Sequence, residues 1–152
     1  MFNLKAEFYL KIIFLFSFIA LISAFFIEYI LGHQPCNLCL IERIPYGLSI
    51  MIIMAIFLIR KNQKFLVMLL ILTFIFSFAI SFYHFGIEQG FFQESSVCGV
   101  KSSTEIVTKE DLLKQLSEKT ISCKDVTFRI FGLSLTSINI VISLLFIITL
   151  LK

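Results

Sequence analysis

Long apolar runs separated by short polar connections dominate the sequence. Four runs approach the length of about 20 residues that a helix needs to cross a bilayer: residues 12–31, 44–59, 65–83 and 131–151. The second is short unless it begins near Cys39, so its span is predicted as 40–59, with Glu42 and Arg43 at the membrane edge. The pattern predicts an all-α membrane protein, with one four-helix domain over residues 1–152.

Composition agrees with a membrane protein. Hydrophobic residues make up 59% of the chain and charged residues 15%, whereas soluble domains have roughly half and about a quarter. The net charge of +3 is too small to favour nucleic acid, and no basic patch is interleaved with aromatic residues on a polar face.

Positive residues predict the orientation of the spans. The connection 60–64 is strongly basic, and Lys5, Lys11 and Lys152 lie near the termini. The positive-inside rule therefore places this loop and both termini in the cytoplasm, and residues 84–130 outside. A signal peptide is the competing interpretation of the N-terminus, but the first apolar run exceeds the usual 7 to 15 residues.

Residues 84–130 form the one long polar stretch. Within it, Thr108 followed by Asp111 is typical of a helix N-cap. Leucines at 112, 113 and 116 predict a short amphipathic helix over about 109–119. Such a helix would lie on the membrane surface or pack on the protein itself.

A Cys-x-x-Cys pair, Cys36 and Cys39, stands between the first two apolar runs. Pro35 suits a helix start, so the pair is predicted to open the second helix, where free N–H groups favour a thiolate. Arg43 follows Cys39 by four residues and would stabilise its thiolate from the same face. Pro45 predicts a bend just past Arg43.

The other two cysteines, Cys98 and Cys123, lie in the polar stretch. Considered alone, Cys36 and Cys39 could be half of a zinc site or two buried thiols. Cys98 and Cys123 alone could form a purely structural disulfide. Two dithiol pairs on one side instead indicate electron transfer by thiol–disulfide exchange. Serine and glycine neighbours predict an accessible Cys98, which we expect an incoming protein to attack.

Further motifs carry a family resemblance. After Pro35-Cys36-Asn37-Leu38-Cys39-Leu40-Ile41-Glu42-Arg43 come Tyr83-His84, the spaced Cys98 and Cys123, and Phe131-Gly132-Leu133-Ser134 before the fourth span. The chain resembles the DsbB family of bacterial disulfide-forming quinone reductases over nearly its whole length. The family often has tryptophan at position 138, where this chain has isoleucine.

The resemblance implies a function and a set of site residues. Cys98 and Cys123 would reoxidise a periplasmic thioredoxin-fold partner like DsbA, and Cys36 and Cys39 would pass the electrons to ubiquinone or menaquinone. Arg43 and His84 match positions that the family places near the quinone. The location implied is the bacterial inner membrane, with the cysteines facing the periplasm.

Other interpretations remain for the residues and for the whole chain. Arg43 could be an anchor at the headgroups, and His84 an interfacial anchor. The chain could be a vitamin K epoxide reductase-like enzyme, although that family usually places its loop cysteines between the first two spans. It could also be a non-catalytic membrane scaffold in which four thiolates bind zinc.

Overall fold

The computed structural model describes residues 4–59, 62–93, 98, 122–124, 129–130 and 133–152. In these ranges the chain forms four helices and a two-stranded hairpin: α1 (Leu4–Tyr29), α2 (Asn37–Leu58), α3 (Gln63–Glu88), β1 (Arg129–Ile130), β2 (Leu133–Ser134) and α4 (Leu135–Leu150). The all-helical prediction is confirmed. The amphipathic helix predicted over 109–119 lies outside the described residues.

Three of the helices, α1, α2 and α3, are long and apolar enough to cross a membrane. α4 has 16 residues, which is about 24 Å at 1.5 Å per residue, and a hydrocarbon core is about 30 Å thick. The predicted fourth span of 131–151 is therefore too long. Its helix begins only at residue 135 because the preceding residues form the β1–β2 hairpin, with Arg129 opposite Ser134.

The start of α4 is fixed by Ser134. Its side-chain oxygen accepts a hydrogen bond from the Ser137 N–H at 3.3 Å, which satisfies one of the free N–H groups at a helix N-terminus. The hairpin and this cap together direct the chain into α4.

The α3 helix continues to Glu88, five residues beyond the predicted end at 83. Gly90, with φ of +78°, follows the helix, and the Phe91 N–H donates to the Gly86 carbonyl at 2.8 Å. This is the usual glycine-terminated helix end. His84 and Glu88 consequently lie on the last helical turns, not in a loop that begins at 84.

The helices pack in a defined order. α3 makes its most extensive contacts with α4 and α2, and α1 packs mainly on α2. One apolar core, at the end of the bundle near the chain termini, centres on Ile53, Leu70 and Phe74, all fully buried. Many large apolar side chains, such as Phe18, Met51 and Phe76, are exposed, as a lipid-facing surface requires.

Candidate functional site

The α2 helix begins directly after Cys36. Cys36 occupies the N-cap position with an extended backbone, and its sulfur accepts a hydrogen bond from the Cys39 N–H at 3.2 Å. The prediction that the cysteine pair opens this helix is confirmed, although Pro35 lies before the cap and not within the first turn. The helix also continues through Pro45. The cap places Cys36 where free backbone N–H groups favour a thiolate.

His84 of α3 faces Cys36 across the bundle. Its Nε2 lies 3.6 Å from the Cys36 sulfur, and its ring is almost completely buried. The ligand atoms of Cys36, Cys39 and His84 all lie within 4.8 Å of one another. The structure thus brings together three of the predicted site residues.

Glu42 holds the other side of the His84 ring. Its Oε1 lies 2.9 Å from His84 Nδ1, and its Oε2 accepts a hydrogen bond from the Asn139 amide at 3.3 Å. Asn139 also donates to Ser81 at 2.7 Å and accepts from the Tyr46 hydroxyl. The imidazole orientation is therefore fixed by a buried network that joins α2, α3 and α4.

Glu88 also lies beside His84, one turn along α3. Its Oε1 is 3.9 Å from His84 Nε2 and accepts a hydrogen bond from the Thr136 hydroxyl at 2.6 Å. Its Oε2 is buried without a hydrogen-bond partner among the described residues. His84 is consequently flanked by two buried carboxyl groups.

Sequence reasoning missed Glu42, Glu88, Thr136 and Asn139 as members of the site. A signal was available, because polar residues recur at helical spacing inside the apolar runs. The buried ones include Ser77, Ser81, His84 and Glu88 on α3, Thr136, Asn139 and Ser143 on α4, and Glu42, Tyr46 and Ser49 on α2. Polar groups inside a membrane span face the bundle interior because lipid cannot satisfy them.

Cys98 and Cys123 form a disulfide with a Cα–Cα distance of 5.3 Å. The two residues are 1% and 2% exposed, and they belong to the same buried cluster as Cys36, Leu38 and Ile87. The expectation of an accessible Cys98 is wrong for this structure, because the residue packs against the end of the bundle. The disulfide also removes two of the four thiolates that the scaffold hypothesis requires.

Arg43 contacts α1. Its guanidinium donates to Glu28, and its carbon Cζ lies 5.4 Å from the centre of the Phe25 ring. A charged side chain such as Glu28 is energetically unfavourable within a membrane span, and the contact with Arg43 gives it a charged partner. The pair holds Arg43 toward α1, while Cys36, Cys39 and His84 gather around the ends of α2 and α3.

The reduced Cys36 is strongly acidic. The hydrogen bond with Cys39 is the main cause, contact with His84 adds to it, burial opposes it, and the net effect lowers the pKa of Cys36 from 9.0 to about 5. Cys36 is therefore a thiolate at neutral pH, which is the nucleophilic form of the residue.

We expect alkylation of Cys36 to follow this pKa. In reduced protein with a chelator present, the rate of modification by iodoacetamide should rise through a midpoint near pH 5, because only the thiolate reacts. Cys39→Ala should move the midpoint upward, since it removes the main stabilising contact. Mass spectrometry of the Cys36 peptide measures the rate. A parent midpoint near 9 would contradict the assignment.

Comparison with known proteins finds one family and a similar protein. The model of the family described as "Disulfide bond formation protein DsbB" matches residues 6–152. An uncharacterized protein of Rickettsia prowazekii (strain Madrid E) is 32% identical over 130 residues, which cover 84% of this chain and 76% of that protein. No solved structure gives a significant match.

Proposed function

Because the chain belongs to the DsbB family of disulfide bond formation proteins, we propose that it reoxidises a periplasmic DsbA-like protein and passes the electrons to a membrane quinone. Family membership and the apolar helices establish a multi-pass membrane oxidoreductase of disulfide bond formation. The partner, the acceptor and the roles of individual residues are the proposal.

The single observation that supports the proposal most is the packing of Cys36, Cys98 and Cys123 in one buried cluster, with Cys39 partly buried against it. A thiolate of the reduced partner attacks the Cys98–Cys123 disulfide, and the partner leaves as a disulfide. The loop dithiol then reduces a Cys36–Cys39 disulfide by a second exchange. Finally the Cys36–Cys39 dithiol gives two electrons and two protons to the acceptor, and the disulfide forms again.

Cys36 suits the exchange between the two pairs. Its low pKa makes it a good leaving group when a loop thiolate attacks the Cys36–Cys39 disulfide, since exchange is faster when the leaving thiol is acidic. The contact with His84 stabilises the sulfur that is released.

A quinone is a suitable acceptor for the electrons of the Cys36–Cys39 pair. A two-electron acceptor that takes protons needs groups that donate hydrogen bonds to its ring oxygens, and His84 and Arg43 supply an imidazole and a guanidinium near the membrane edge. Ubiquinone and menaquinone both have this chemistry. Arg43 would have to exchange part of its interaction with Glu28 for one with the quinone.

The partner must reach a disulfide that is buried in this structure. A protein that attacks Cys98 or Cys123 has to displace the atoms that cover them, so binding and access are coupled. A thioredoxin-fold protein, which presents one reactive cysteine at its surface, fits this requirement.

The proposed location is the inner membrane of a bacterium. The basic residues near the termini and at the α2–α3 connection favour a cytoplasmic position for both termini. The cysteines then face the periplasm, where disulfides persist.

Arg43→Ala is expected to raise the KM for quinone at least tenfold, about 1.4 kcal/mol of lost binding or transition-state stabilisation. Oxidation of the partner by a preformed Cys98–Cys123 disulfide should change little. Arg43→Lys should give an intermediate KM, because lysine keeps the charge but loses the planar fork. Steady-state kinetics with a soluble quinone analogue measure both constants.

Glu28→Gln is the matched control for Arg43, because it removes the ion pair and leaves the guanidinium in place. Its KM should stay close to that of the parent. Equal increases in the two variants would assign Arg43 to anchoring α1, and an unchanged KM in Arg43→Ala would remove it from the quinone site.

The proposed function is tested with purified protein and a reduced DsbA-like partner. Loss of partner thiols should be catalytic when quinone is supplied, and Cys98→Ser/Cys123→Ser should abolish it. Partner oxidation at the parent rate by that double variant would overturn the order of electron transfer proposed here.

A further inference from the structure

The cluster of Cys36, Cys39 and His84 has the chemistry of a metal site. Two cysteine sulfurs and an imidazole nitrogen are the ligand types that zinc prefers, and these three atoms converge within 4.8 Å. They come from the start of α2 and the last turns of α3, two packed helices that hold the ligands in place.

The distance between Cys36 and His84 matches a single tetrahedral ion. Bond lengths of about 2.3 Å to sulfur and about 2.0 Å to nitrogen place two ligands of one zinc roughly 3.3–3.8 Å apart. The sulfur of Cys36 and Nε2 of His84 are separated by 3.6 Å. Little movement is therefore needed for these two atoms to bind the same ion.

The surroundings of His84 are those of a metal-binding histidine. A ligating histidine nearly always uses its other ring nitrogen to contact a carboxylate or carbonyl, which fixes the tautomer and makes the ligand more basic. Glu42 contacts Nδ1 at 2.9 Å, so Nε2 is the nitrogen directed at Cys36. This observation is independent of the spacing of the two cysteines.

Glu88 supplies a third observation. Its Oε2 is buried without a hydrogen-bond partner among the residues that the structure describes, and its Oε1 lies 3.9 Å from His84 Nε2. A water in the fourth position of a zinc bound by three protein ligands would give this oxygen a donor.

We propose that the reduced protein binds one Zn²⁺ through Cys36, Cys39 and His84, and that formation of the Cys36–Cys39 disulfide releases it. Binding displaces the proton of any ligand sulfur that is still a thiol, without any change in oxidation state. Oxidation uses both sulfurs for the disulfide, with the two electrons going to the acceptor, and the ion leaves as Zn²⁺. The effect of zinc on turnover rests on the proposed function. Bound zinc would keep Cys36 and Cys39 reduced and slow their reoxidation.

The test uses Co²⁺ as a spectroscopic probe in full-length Cys98→Ser/Cys123→Ser protein, so that only Cys36 and Cys39 carry thiols. After reduction with a phosphine, the protein should bind one Co²⁺ per chain with thiolate-to-cobalt absorption, and Zn²⁺ should displace it. The same protein with a Cys36–Cys39 disulfide should give no such absorption.

Variants at the ligands decide whether the site is specific. His84→Ala and Cys39→Ser should each weaken binding at least tenfold. Glu42→Gln, which alters the support of His84 without removing a ligand, should weaken it by about tenfold. His33 is the histidine outside the cluster, so His33→Ala should bind Co²⁺ as tightly as the Cys98→Ser/Cys123→Ser protein in which it is made. Equal binding by His84→Ala and its background, or equal binding by oxidised and reduced protein, would overturn the proposal.

The two proposals can fail separately. Protein that oxidises its partner in the presence of a chelator but gives no thiolate-bound cobalt would overturn the metal site alone. Protein that binds cobalt as described but does not couple its partner to quinone would overturn the proposed function alone.

Discussion

Replacing Cys39 with alanine should lower steady-state quinone reduction by at least about a thousandfold, since a covalent step cannot occur without its reacting group. In the proposed mechanism, Cys36 alone cannot form the disulfide whose formation would give two electrons to the acceptor. The Cys98–Cys123 disulfide remains, so the first turnover of the partner should still occur. The expected result is a burst of one partner oxidised per chain, followed by almost no further turnover.

Rapid mixing with reduced partner and a quinone analogue measures the burst and the steady state together. Leu40→Ala is a suitable control, because Leu40 is next to Cys39 on α2 and 44% exposed. It should keep both phases. Sustained turnover by Cys39→Ala would show that electrons reach the acceptor without the Cys36–Cys39 pair.

Removal of Glu42 is expected to have the second largest effect. Glu42→Ala leaves His84 Nδ1 and the Asn139 amide without their carboxylate partner. An unsatisfied buried polar group costs about 1–3 kcal/mol of stability, and loss of a correctly held acid–base group costs about a hundredfold in rate. Both the resistance to denaturant and the turnover number should fall.

Glu42→Gln separates the two effects, because it keeps the shape and one acceptor oxygen. It should recover most of the stability and only part of the rate. Glu7→Gln on α1, outside the polar network, is the control and should match the parent in both measurements. A Glu42→Ala protein that is as active as the parent would mean that the orientation of His84 does not affect turnover.

The helices were predictable from the apolar runs, and the position of Cys36 and Cys39 from their place beside Pro35. The residues at which the helices begin and end were harder to predict from the sequence. α3 continues past the apolar run because His84 and Glu88 find polar partners inside the bundle, which hydropathy does not record. α4 starts late because a hairpin and the Ser134 cap precede it.

Cys36, Cys39 and His84, which the structure brings together, could be chosen as candidates from the sequence, but the carboxylates that support His84 could not. Glu42 looked like a charge at the membrane edge, and only the helix packing places it against His84. Arg43 shares a face with Cys39 by spacing, yet the Glu28 carboxylate on α1 binds it. Cys98 has small, polar neighbours in sequence, whereas its burial depends on contacts distant along the chain.

The most direct test of the account is the stoichiometry of electron transfer without oxygen. Purified protein, an excess of reduced DsbA-like partner and a limiting amount of quinone are mixed, and quinol and partner disulfide are both counted. We predict one partner disulfide for each quinone reduced. The Cys36→Ala/Cys39→Ala protein should form no quinol and at most one partner disulfide per chain, from its Cys98–Cys123 disulfide. Catalytic partner oxidation that consumes no quinone, or quinone reduction by that variant, would contradict the account.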